Sequence, residues 1–184
     1  MSAHPPIIDE IEQLYATRAQ GEYFGEAITQ LEHGLQSAYF AEAGGAAETV
    51  IIAALLHDIG HLVVEVPTDL ADWTHDARHE DTGADWLAAH FGPAVTEPVR
   101  LHVPAKRYLC ATDPAYFARL SPASVHTLRL QGGPMSAEEV AAFEANPYHR
   151  DAITLRLCDE QGKVLGFSAP PLCTYRERIA ALLR

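Results

Sequence analysis

Ala53-Ala54-Leu55-Leu56-His57-Asp58-Ile59-Gly60-His61 sets a histidine and an aspartate side by side within an apolar run. The segment around it, Glu48 to about Val64, is apolar on most faces of a helix, so this third helix is expected to be buried. An unpaired carboxylate in such a place is strongly unfavourable unless something pairs or binds it. A metal ion removes that cost for His57 and Asp58 together. The competing account is a core histidine beside an aspartate that forms a salt bridge elsewhere. It loses ground because further candidate ligands stand in register. His33 lies in a second helix (Thr29 to Ala43), and His79 opens a fourth (Asp76 to Phe91). His102 ends a fifth (Glu97 to about Val103, stopped by Pro104), and Asp159 ends the penultimate helix, begun at Pro147.

Imidazole and carboxylate without thiolate suit iron, manganese or similar ions better than structural zinc. A carboxylate has two oxygens, so Asp58 can bridge two metals. One metal then takes His33, His57, Asp58 and Asp159, and the other Asp58, His79 and His102, each keeping an open position. His61, one helical turn after His57, faces the same way.

The rest of the chain reads as helices. Ile8, Ile11, Leu14 and Tyr15 give a first helix ending near Gly21. Asp113-Pro114 and Ser121-Pro122 read as N-caps with proline at the first helical position. Ser136 with Glu139 is a capping box, opening a helix to Ala145, and Tyr175 to Leu183 forms the last helix. Confident strand patterns are absent. The expectation is an all-α helical bundle, one domain over residues 1–184, around a buried dinuclear metal site.

A formal net charge of -12 argues against a nucleic-acid partner. Three cysteines without a C-x-x-C pair suit a reducing cytoplasm. The apolar run Val50 to Leu56 is too short to span a membrane, and Met1 to Ile8 has no signal pattern. A cytoplasmic monomer without membrane or nucleic-acid partners is expected.

The order His33 … His57-Asp58 … Asp159 matches the signature of the HD superfamily, and His79 with His102 matches its dinuclear branch. That branch holds phosphodiesterases and mixed-valent diiron oxygenases. From about Tyr23 to Tyr175 the chain resembles more closely the oxygenases acting on 2-amino-1-hydroxyethylphosphonate and its N-trimethylated form. The resemblance is carried by Gln30-Leu31-Glu32-His33, Leu55 to Leu62, Gly83-Ala84-Asp85-Trp86-Leu87, Ala105-Lys106-Arg107-Tyr108-Leu109-Cys110 and Gln131-Gly132-Gly133-Pro134-Met135-Ser136.

The resemblance implies two iron ions in the mixed-valent Fe(II)/Fe(III) state, dioxygen as co-substrate and a small hydroxyphosphonate as substrate. Phosphonates resist hydrolysis because carbon is a poor leaving group; oxidising the hydroxyl-bearing carbon releases phosphate with glycine or glycine betaine. By the same resemblance His61, Lys106, Ser124, Gln131 and Arg156 fall at phosphonate-binding positions. Lys and Arg are the strongest partners for a dianion. The plainer alternatives are a solvated Lys106-Arg107 pair, a surface salt bridge for Arg156 and an ordinary helix position for Ser124. Tyr23 and Glu26 match a further pair, the tyrosine covering an open iron position until substrate displaces it and the glutamate placing the amino end. Tyr23, Glu26, His61 and Lys106 are thus the expected catalytic group.

A dinuclear phosphohydrolase acting on a phosphomonoester or nucleotide is the rival enzyme, and a non-catalytic binding module the rival without chemistry. Trp73 would favour a trimethylammonium group if it reached the pocket, by offering an aromatic face; as a loop anchor it says nothing. His4, His75, His90, His126 and His149 are expected at surface or structural positions, and Trp86 and Tyr39 in the core.

Overall fold

The computed structural model describes residues 5–23, 26–64 and 78–184. Trp73, His4, His75 and the loop expected from Pro67 to His75 lie outside the described residues. Helices α1 (Pro6–Arg18) and α2 (Gln30–Ala43) flank a small antiparallel ribbon, β1 (Glu22–Tyr23) and β2 (Glu26–Thr29). Then follow α3 (Glu48–Leu56), α4 (Gly60–Val63), α5 (His79–Leu87), α6 (Pro93–Thr112), α7 (Pro114–Phe117), α8 (Pro122–Leu130), α9 (Ala137–Glu144), α10 (His149–Gln161) and α11 (Arg176–Ala181). Among the described residues, no helix is long and apolar enough to cross a membrane.

The central helix is α3, in which every residue from Val50 to Leu56 is buried. It packs against α2, α6 and α10, which carry the candidate ligands His33, His102 and Asp159. Local chemistry fixes the ends of its neighbours. Thr29 caps α2 through a capping box with Glu32, and Ser136 does the same for α9 with Glu139. Ser121 and Asp113 accept backbone N–H groups at the starts of α8 and α7.

Three expectations need correction. A short ribbon forms where no strand is expected, Glu22 pairing with Thr29 and Tyr23 with Glu26. Pro104 does not stop the fifth helix: α6 runs through both Pro98 and Pro104. Each proline removes one N–H···O bond, at about 3 kcal/mol in a helix interior. The buried stripe Val95, Val99, His102, Lys106 and Leu109 outweighs that by packing against α3, α5 and α10. Finally, the segment from Glu48 does not continue unbroken to Val64. It leaves the α-helix at His57 and crosses to α4 through tight turns, Ile59 N–H to Leu56 O at 3.0 Å and His61 N–H to Asp58 O at 3.0 Å. The His-Asp pair therefore sits at a bend. The carbonyls freed there are taken by side chains: Tyr15 donates its hydroxyl to Leu55 O at 2.7 Å, and His57 Nδ1–H reaches Ala54 O at 2.8 Å.

Candidate metal centre and its anion wall

His33 from α2, His57 and Asp58 from the bend, His79 from α5, His102 from α6 and Asp159 from α10 meet in one buried place. Three of the histidines are locked from behind. His33 Nδ1–H donates to Gly162 O at 2.9 Å, His57 to Ala54 O, and His102 to Val99 O at 2.7 Å. A carbonyl only accepts, so in the neutral ring the lone pair falls on Nε2, which faces inward. His33 and His57 bring their Nε2 atoms within 3.1 Å, and His79 and His102 within 3.0 Å. Two lone pairs that close repel unless a proton or a metal lies between them.

Asp58 divides its oxygens between the two pairs. Oδ2 lies 3.4 Å from His57 Nε2 and 3.8 Å from His33 Nε2. Oδ1 lies 3.3 Å from His79 Nε2 and 3.6 Å from His102 Nε2. Asp159 joins the first pair, with Oδ1 3.4 Å from His33 and Oδ2 3.8 Å from His57. Among the described residues, Asp58 Oδ2 and Asp159 Oδ1 are buried without a hydrogen-bond partner. Orphaned carboxylate oxygens beside paired imidazole nitrogens are the donor set of a dinuclear metal site, and they fit two ions. Grouping by proximity alone also brings His61 to Asp58 and His79, so His61 borders the second ion's side. Its ring stacks on that of His79 at 4.0 Å.

The electrostatics favour the deprotonated form at His57, His102, Asp58 and Asp159. Burial lowers the His57 and His102 pKa values, helped by neighbouring imidazoles. Burial would raise Asp58 and Asp159, but His57 and His79 around Asp58, and Arg156 beside Asp159, hold both well below the carboxylate range. At His79 burial is outweighed by the hydrogen bond and charge of Asp58, which raise it.

On one side the centre opens into a cavity of about 50 Å³. Every substrate residue expected from the sequence lies on it: Tyr23, Glu26, His61, Lys106, Ser124, Gln131 and Arg156. Tyr23 stacks on His33 at 3.9 Å and is hydrogen bonded to Asp58. Across the ribbon Glu26 keeps Oε1 buried without a partner among the described residues, as does Gln131 with its Oε1. Lys106 is only 3% exposed and donates to Thr127 Oγ1 at 2.9 Å, so it is no solvated surface lysine. Arg156, 4% exposed, donates Nε to Tyr116 Oη at 2.7 Å and its two terminal nitrogens to Asp159 and Glu160. It therefore steadies a candidate ligand as well as facing the cavity. Thr127 and Lys163 also line it, and the sequence reading singles out neither. Their only signal is helical spacing, three residues after Ser124 and four after Asp159. His149 is structural, its Nδ1 on Asn146 O at 2.7 Å, and Trp86 packs against the core.

The HD domain pattern matches residues 30–151. A [1-hydroxy-2-(trimethylamino)ethyl]phosphonate dioxygenase (glycine-betaine-forming) of Leisingera caerulea is 49% identical over 89% of this chain and 84% of its own. A hydroxymethylphosphonate dioxygenase of Gimesia maris is 46% identical over 88% of this chain and 81% of its own. An uncharacterised protein of Acanthamoeba polyphaga mimivirus is 38% identical over 92% and 78%.

Proposed function

The chain belongs to the HD-domain family and, within it, groups with the phosphonate dioxygenases; from that premise we propose that it cleaves the carbon–phosphorus bond of a 1-hydroxyphosphonate bearing an ammonium group on the next carbon. The substrate would be (R)-2-amino-1-hydroxyethylphosphonate or its N-trimethylated form, giving phosphate with glycine or glycine betaine. The observation that carries this reading is one cavity lined by the candidate ligands Asp58, His79, His102 and Asp159, by the cations Lys106, Arg156 and Lys163, and by the Glu26 carboxylate. The bound ions, in this reading a mixed-valent iron pair, supply the oxygen chemistry at the hydroxyl-bearing carbon.

The chain's own residues bind and orient. Lys106, Arg156, Ser124 and Gln131 hold the phosphonate through charge-assisted and neutral hydrogen bonds. Glu26 faces the ammonium end. Tyr23, stacked over His33, covers the centre until substrate moves it aside, so that oxygen meets the reduced metals only when substrate is present. The whole of residues 1–184 would form the one domain that does this, in a reducing cytoplasm where Cys110, Cys158 and Cys173 stay as thiols.

Oxygen uptake and phosphate release by the iron-loaded protein test the reading. The primary-amine, trimethylated and hydroxymethyl substrates should be compared side by side. One oxygen consumed per phosphate released, with an ammonium substrate preferred, is the expected result. Phosphate release from a phosphomonoester without oxygen would make the chain a hydrolase instead. Glu26→Gln should erase the preference for ammonium substrates over hydroxymethylphosphonate. Tyr23→Phe should keep its metals but oxidise faster in air without substrate, as followed by electron paramagnetic resonance; an unchanged rate would remove the covering role.

Lys106 gives this binding a pH dependence. Burial first, then the charge of Arg156, pushes its amine down to about 7. Only the protonated amine pairs with a phosphonate dianion. Apparent affinity should therefore be full below about 7 and weaken as pH rises through it. Lys106→Met should bind more weakly at low pH and lose that limb, by the 1.5–3 kcal/mol or so of a charged hydrogen bond. The difference between the two profiles isolates the lysine from the substrate's own ionisation. Parallel profiles would exclude it as the titrating contact.

A further inference from the structure

Behind the cationic wall stands a carboxylate that does not line the cavity. Glu160 Oε2 accepts from Arg156 Nη2, lies 3.3 Å from Lys163 Nζ and 3.4 Å from Ser124 Oγ. Lys163 Nζ also donates to Ser124 Oγ at 3.0 Å, and its side chain is only 10% exposed. Arg156, Lys163 and Ser124 thus line the cavity and all three reach Glu160, while Arg156 and Lys163 also lie beside the candidate ligand Asp159.

We propose that Lys163 is a further anion-binding residue of this cavity and that Glu160 is its built-in counter-anion, limiting how tightly the wall holds phosphate. The inference rests on reading the cavity as a phosphonate site. In that reading substrate and product both carry a dianionic phosphorus group. A wall of Lys106, Arg156 and Lys163 that attracts one therefore also retains the other. Glu160 cancels one of these positive charges and competes for the N–H groups that would otherwise all turn to the ligand. It thereby weakens the complex with free phosphate, which has lost the covalent link to the carbon end held near Glu26. Substrate keeps both ends anchored, so the shared anion costs it proportionally less. Glu160 is placed to do this because it follows Arg156 by four residues on α10, one turn along the same face.

Calorimetric titration of inorganic phosphate into the metal-loaded protein without oxygen reads the effect directly, with metal content and thermal melting measured on each variant. Glu160→Gln should bind phosphate about tenfold or more tighter, the scale of one charge-assisted contact. In turnover it should show stronger inhibition by added phosphate. Lys163→Gln should bind phosphate about tenfold more weakly with metal content intact. Equal or weaker phosphate binding by Glu160→Gln overturns the counter-anion role, and unchanged binding by Lys163→Gln overturns the binding role. Should Glu160→Gln fail to fold, Glu160→Asp, which retreats by one methylene, must shift phosphate affinity in the same direction or the role is likewise overturned. Tighter phosphate binding in a protein that consumes no oxygen with any hydroxyphosphonate would leave this inference standing and remove the proposed reaction. Normal oxygen uptake with unaltered phosphate binding would do the reverse.

Discussion

Asp58→Ala is expected to lose both metal ions, and turnover with them, while the helices stay in place. Asp58 comes within 4 Å of both histidine pairs: Oδ2 serves His33 and His57, and Oδ1 serves His79 and His102. Removing it deletes one ligand from each ion and half of the carboxylate charge that balances them. Structural zinc sites gain roughly 10–16 kcal/mol from about four ligands, so one ligand is worth on the order of 3 kcal/mol. That corresponds to an affinity loss of about a hundredfold at each ion. The second ion suffers more, because His79 and His102 then remain without a bridging carboxylate. Elemental analysis after gel filtration should find neither ion retained, with a helical circular dichroism spectrum. A variant that kept two ions would show that Asp58 does not bridge. Asp159→Ala is the informative contrast: Asp159 lies within 4 Å of His33 and His57 and farther from His102, so the ion at His79 and His102 should be the better retained.

That centre is legible in the sequence because it breaks a rule. A charged pair in a segment that is otherwise wholly buried demands a partner, and His33, His79, His102 and Asp159 stand at helical positions able to supply one. Helix caps are legible for a similar reason, since Thr29 with Glu32 and Ser136 with Glu139 satisfy backbone groups within four residues. What escapes the sequence is of other kinds. The ribbon that brings Tyr23 opposite Glu26 has strands of two and four residues, too short to show a period of two. Pro104 argues locally for a break, and only the packing of α6 on three other helices overrules it. Glu160 and Lys163 look like an ordinary solvated pair near a helix end. Their burial depends on Ser124, thirty-six residues away from Glu160, which no local pattern foretells.

The motif's glycine carries a larger consequence than its size conveys. Among the described glycines, Gly60→Ala is expected to be the most destabilising alanine substitution. A Cβ at Gly60 would lie 2.0 Å from the carbonyl oxygen of His79 and 2.9 Å from the backbone nitrogen of Gly83. Both are main-chain atoms of α5, so no side chain can turn aside to make room. The first turn of α5 must move away from α4 instead, and with it His79 moves from Asp58 and from the ring of His61 stacked at 4.0 Å. Overpacking a core commonly costs about 1–3 kcal/mol. A clash between two backbones, with loss of the α4–α5 contact, should exceed about 4 kcal/mol. For a chain of this length that lowers Tm by roughly 10 °C. Gly21→Ala is the matched control, because nothing lies within 4 Å of its added Cβ and its Tm should barely change. Metal analysis separates the two consequences. Any Gly60→Ala protein that folds should hold the ion at His33, His57 and Asp159 better than the ion at His79 and His102. Full occupancy of both ions at an unchanged Tm would mean that α4 and α5 are not held at this approach, and that the glycine does not set the distance across the metal centre.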